Sequence, residues 1–129
     1  MSKGIEEGEF KRFISEDIYN KAANTGSKAY NVDMSTINNL IEVFQGDPID
    51  ACLLLMVYIK RQEKRGEIRR PFSQLLLQDI KYMYDAFKSD KGRLELAIRK
   101  YLTLVKWVKE SRIPDVNDIN SFINAAIRG

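Results

Sequence analysis

The residues with the most chemical potential form a basic run: Lys60, Arg61, Lys64, Arg65, Arg69 and Arg70. Lys60/Lys64 and Arg61/Arg65 are four apart, so on a helix each pair stacks on one face. Like charges at that spacing repel by about 0.2–0.5 kcal/mol per pair, and Glu63 and Glu67 offset only part of it. A phosphate backbone would turn the repulsion into attraction, and the planar arginine fork suits phosphate. The same cations lie near an expected helix C-terminus, where the macrodipole favours positive charge. An ordinary solvated helix end is therefore the competing reading. Further on, Arg99, Lys106 and Lys109 fall close together on a helical wheel, with Lys100 and Arg112 nearby. Tyr101 and Trp107 lie among them, and aromatics amid cations can stack on bases or sugars. Tyr101 falls on an apolar stripe and reads as core. Trp107 lies off it, and either meets a partner or covers the bundle.

Other chemistries find little support. The chain has no histidine, which excludes Ser-His-Asp triads, Cys-His pairs, helical RNases with an Arg-His pair, and His-based zinc or haem sites. Cys52 is the single cysteine. It has no internal disulfide partner and sits in an apolar run, as a small buried hydrophobe would. Asp79, Asp85 and Asp90 are six and five residues apart, so they do not converge on one helix face as a metal site needs. Asp90 reads as a helix cap. There is no P-loop and no GxGxxG. No catalytic residue, metal site or cofactor is expected.

The elements that must position these cations are helices. Six segments repeat apolar residues at helical spacing, and none alternates at period two. Residues 1–8 read as a disordered tail. Helix 1 is expected from about Glu9 to Asn24, stopped by Gly26 in a left-handed conformation. Helix 2 spans about Ser35 to Gln45, capped by Asp33 or Ser35 and ended by Gly46. Helix 3 starts at the Asp47 cap with Pro48 in first position, is apolar on nearly all sides from Ala51 to Ile59, and closes at Gly66. A helix apolar all round is normally surrounded by others, so helix 3 is expected at the centre. Helix 4 spans about Pro71 to Lys88 and helix 5 about Lys91 to Ser111. Helix 6 is capped by Asn117 or Asp115 and turns Ile119, Phe122, Ile123, Ala126 and Ile127 inward. The fold class expected is all-α: a single-domain helical bundle of five to six helices, residues 1–129, around a buried central helix.

Bulk properties agree with one intracellular domain. The 129 residues are 44% hydrophobic and 30% charged, with 7 Gly and 3 Pro, enough for a core and too little Gly and Pro for linkers. The longest apolar stretch, Ile49 to Ile59, is short of the roughly 18 residues a membrane span requires. Residues 1–7 lack the apolar core of a signal peptide, so a cytoplasmic location is expected. Charge is uneven: 5 Lys/Arg against 9 Asp/Glu in residues 1–50, then 15 against 7 in residues 51–112. A basic middle behind an acidic first third suits a polyanionic partner or contact between copies.

Several segments, in order, resemble the small helical subunit of type III-A CRISPR effector complexes. They are Asn24-Thr25-Gly26-Ser27-Lys28, the Ser/Thr-led helix from Met34 to Phe44, the apolar helix Leu53 to Gln62 with its Tyr58-Ile59-Lys60-Arg61 element, and Leu96 to Trp107. The match covers roughly residues 10–110. It departs where the family's Gln-Ile-Arg becomes Thr36-Ile37-Asn38, and helix 6 is extra. The resemblance implies a subunit without catalysis that stacks in several copies within a ribonucleoprotein and contacts the guide–target RNA backbone. Tyr58 and Arg61 match the family motif. Lys60, Lys64, Arg65, Arg69, Arg70, Arg99, Lys106 and Lys109 join them as expected RNA-binding residues on charge and spacing. The partners expected are RNA, other effector subunits and further copies of this chain. A helical protein–protein adaptor or viral accessory protein is the alternative, and a DNA-binding regulator fits less well because no clear helix-turn-helix is present.

Overall fold

Capping residues written in the sequence set several helix boundaries in the computed structural model, which describes residues 3–129. Asp47 accepts a hydrogen bond from the Asp50 backbone N–H at 3.1 Å and Pro48 occupies the first turn, opening α4 (Pro48–Lys64). Asp90 accepts from the Arg93 N–H at 3.2 Å and opens α6 (Lys91–Glu110). Each bond satisfies one of the donors a helix start leaves unpaired. Gly66 adopts a φ of 80°, the left-handed conformation that closes α4 at no steric cost. α3 (Met34–Val43) ends before the expected Gly46 stop, because Phe44 already leaves the helical conformation, and Gly46, with φ 87°, turns the chain toward Asp47. α5 spans Phe72–Phe87. The expected all-helical bundle forms, and none of the described residues is in a strand.

The first helix is longer than its periodicity suggests. α1 (Lys3–Arg12) passes through a π-helical turn, Phe13–Asp17, into α2 (Ile18–Gly26). Disorder is expected over residues 1–8, yet the helix begins at Lys3; residues 1–2 lie outside the described residues. Its anchor is Phe10, edge-on to Phe87 at 5.2 Å with the Arg93 guanidinium 5.3 Å from its ring. Arg93 also pairs with Glu7 at 3.6 Å. At the other end, Gly26 is not the left-handed stop that its type suggests. It stays helical because α2 and α6 need it bare: a Cβ there would lie 2.8 Å from Val108 Cβ and 2.9 Å from the Val105 carbonyl.

That close approach decides which helix is central. α6 packs against α2, α3, α4 and α5 and buries Leu94, Ala97, Ile98, Tyr101, Leu102, Val105 and Val108. α4, expected at the centre, buries only the side carrying Ala51, Cys52, Leu55 and Ile59. Leu53, Leu54 and Val57 on its other side are 45%, 53% and 68% exposed. An unbroken apolar run shows that a helix could be surrounded; the bare Gly26 facing α6 lets a neighbour come near enough to do so. Cys52 is buried, and burial pushes its thiol up to about 12.

The last helix also differs from expectation. α7 (Ile119–Arg128) starts at Asp118, which accepts from the Ser121 N–H at 2.8 Å, rather than at Asn117 or Asp115. Before it, the chain folds back through left-handed Arg112 and Asp115 (φ 59° and 55°), and the Asp115 N–H reaches the Ser27 carbonyl at 3.2 Å. α7 then lies against α2. Ile119 and Phe122 are half-buried, but Ile123, Ala126 and Ile127 face outward. Among the described residues, no helix is long and apolar enough to cross a membrane.

Candidate nucleic-acid interface

Short connections reverse the chain at each helix, so α2, α4 and α6 end where α3, α5 and α7 begin. Two grooves open at this end of the bundle, and Tyr30, 60% exposed, borders both. One runs between the 28–32 loop and the 66–72 loop and is lined by Lys28, Glu67, Arg69 and Arg70. The other, about 900 Å³, lies between the end of α2 and the end of α6 and is lined by Lys109, Glu110 and Arg112. Arg69 and Arg70 of the 60–70 segment and Lys109 of late α6 thus lie on either side of one exposed aromatic. Three helix C-termini add their negative dipole ends, which favour cations there.

The expected site residues do not share one setting. Arg65, Arg69 and Lys109 surround this end, and no carboxylate among the described residues lies within 4.0 Å of their charged groups. Lys60 and Arg70 are tied to Glu63, at 3.2 and 3.3 Å, and the Lys60 hydrogen bond, reinforced by Arg70, holds the Glu63 carboxyl below its usual range. Arg61 and Lys64 are exposed on the outer side of α4. Arg99 sits apart: it pairs with Glu95 at 2.9 Å and donates to the Phe44 carbonyl at 3.1 Å, beside the far end of α3. Ten residues of helix place it about 15 Å from Lys109 along α6. Lys106 is half-buried on α6. Tyr58 is half-buried against the core, which leaves little of its ring for a ligand. Trp107 is 60% exposed on α6.

The sequence reading missed Tyr30 and Lys28, and placed Arg112 only near the α6 cations rather than among the site residues. Lys28 and Tyr30 form a cation-x-aromatic pair in a loop, a weak signal by itself. Arg112 ends α6 in a left-handed conformation, which places its side chain at the groove. Lys28 is partly committed: its ammonium donates to Asn24 Oδ1 at 2.8 Å and to the Val116 carbonyl at 2.9 Å, and lies 3.8 Å from Asp115.

Beneath this end lies a buried polar cluster. Asp79 on α5 accepts from Thr25 Oγ1 at 2.6 Å and from the Tyr101 hydroxyl at 2.5 Å, with Lys21 Nζ at 3.9 Å. Burial raises the Asp79 carboxyl above its ordinary value despite these donors, and burial together with the Asp79 charge drives the Tyr101 hydroxyl well above its own. The cluster clamps α2, α5 and α6 together. Both hydroxyls donate to Asp79 Oδ2, while Lys21 stands on the side of Oδ1.

No family model matches the chain, and neither a curated protein nor a solved structure matches it.

Proposed function

We propose that this protein is a non-catalytic RNA-binding subunit that grips the phosphate backbone at the basic end of the bundle, as part of a type III CRISPR ribonucleoprotein effector complex. The carrying observation is the set of cations without carboxylate partners among the described residues at this end: Arg69, Lys109 and Arg112 line the two grooves that Tyr30 borders, and Arg65 caps the end of α4. Arginines in an open groove can bind phosphates bidentately, and the Tyr30 ring offers a stacking surface that tolerates any base. Such contacts hold a strand without reading its sequence. The assignment to an effector complex comes from the sequence resemblance, and copies of the chain would there lie alongside the guide–target duplex.

Neutralising about four to six phosphates gives a log–log salt slope of about −3 to −4 for a single strand. Titration of labelled single-stranded RNA at low and moderate salt measures it. Arg69→Glu combined with Lys109→Glu is expected to abolish retention with helicity unchanged, while Arg99→Gln leaves retention as it was. Failure of the parent protein to retain RNA at low salt overturns the reading. That result favours a protein–protein adaptor, for which the exposed Leu53, Leu54, Val57 and Trp107 supply the apolar surface.

A further inference from the structure

The outer side of α4 is ordered along its length by charge. Asp50, Leu54, Val57, Arg61 and Lys64 follow one another at steps of four, three, four and three residues, which keeps them within about 40° of one line on the helix. Leu53 widens the apolar middle. All are exposed, and neither Asp50 nor Arg61 has an ion-pair partner among the described residues. The stripe reads acid, apolar, apolar, base. Reversed end for end, such a stripe is complementary to itself.

We infer that α4 is a self-association surface on which a second copy of this chain docks antiparallel about a two-fold axis. The axis passes between Leu54 and Val57. Each Leu54 then faces the second copy's Val57, and each Asp50 faces the second copy's Arg61. The reach from Asp50 to Arg61 is about 16 Å of helix, the same in both copies, so both ion pairs form in one register. Two-fold pairing of identical patches is the commonest way for a chain to close on itself. An RNA strand or an anionic membrane would meet Lys64 and Arg61 favourably but would be repelled by Asp50, and neither gains from Leu53, Leu54 and Val57 placed between the charges. A second copy satisfies Asp50, Leu54, Val57 and Arg61 at once. Antiparallel docking also sends the two Tyr30 ends to opposite poles of the dimer, where Arg65, Arg69 and Lys109 stay open.

Sedimentation equilibrium of the full chain, from roughly 5 to 500 µM, covers the range for an interface of one helix face. The expected result is a reversible monomer–dimer equilibrium. Val57→Glu places two carboxylates beside the axis and is expected to weaken the dimer by about thirtyfold or more, as loss of a central interface residue does, with unchanged circular dichroism because Val57 is 68% exposed. Asp50→Arg alone sets arginine against arginine, and Arg61→Asp alone sets aspartate against aspartate, so each variant is monomeric by itself. Mixed in equal amounts, the two form a heterodimer with both ion pairs restored in reversed sign. A parent protein that stays monomeric throughout, a Val57→Glu variant that dimerises like the parent, or a mixture that remains monomeric overturns the inference. RNA retention by Val57→Glu is measured alongside and is expected to be unchanged, which separates this surface from the Tyr30 end.

Discussion

α4 and α6 are both long helices with extended apolar character, and they occupy opposite situations. α6 reaches four neighbours and places Tyr101 in a buried hydrogen-bond cluster. α4 holds the longest apolar run in the chain and leaves Leu53, Leu54 and Val57 in solvent. The difference lies in what faces them. α6 meets Gly26, whose missing Cβ brings two backbones close, and Asp79, which is held by Thr25 and fixes the register of α6 through Tyr101. α4 meets such neighbours on one side only. Burial is therefore a property of the pair of surfaces, and an apolar stripe without a second surface is available for use.

Substitutions at α6's contacts and at α4's outer side should separate the two helices sharply. Asp79→Ala leaves the Tyr101 and Thr25 hydroxyls buried without an acceptor and opens a void, and should cost about 3 kcal/mol in urea unfolding. Asp79→Asn keeps an acceptor oxygen and tests the charge alone. The folded-state Asp79 pKa is raised above the ordinary 3.8, so its favourable contribution is complete below the unfolded value and is lost as pH rises through the folded value. Melting temperatures at pH 3 and pH 7 should show the Asn variant gaining on the parent as pH rises. Gly26→Ala forces a methyl into Val108 and the Val105 carbonyl, and should cost about 2 kcal/mol by displacing α6 from α2. Leu54→Ala should sit at the bottom of the series, within about 0.5 kcal/mol of the parent when the monomer is measured at low concentration. A large loss there would mean that α4's outer side is held by the bundle itself.

Much of the architecture was legible in the sequence because it rests on local chemistry. Asp47 with Pro48, Asp90 and Gly66 each set a boundary through backbone conformation or one short-range bond, and these act within a few residues. The identity of the central helix was not legible. It depends on which helix faces Gly26, a contact spanning some eighty residues of chain, and single-sequence periodicity carries no information about pairing. The site was half legible for the same reason. Composition located the cations of α4 and α6, and the Arg65, Arg69 and Lys109 subset does gather at one end. Arg99 lay on the same wheel sector as Lys106, but a wheel ignores distance along the axis and neighbouring carbonyls, and Phe44 captures the guanidinium. Tyr30 became visible only when the fold set its loop between two others.

Cys52 turns the fold's cooperativity into something countable. A thiol held in its neutral form deep in the bundle does not attack a maleimide, because the reactive species is the thiolate and the reagent has no route to it. Alkylation must wait for α4 to separate from its neighbours. The labelling rate of this one atom then reports how often the bundle opens, while Leu54 and Val57 on the same helix lie on the outside of the folded chain from the start.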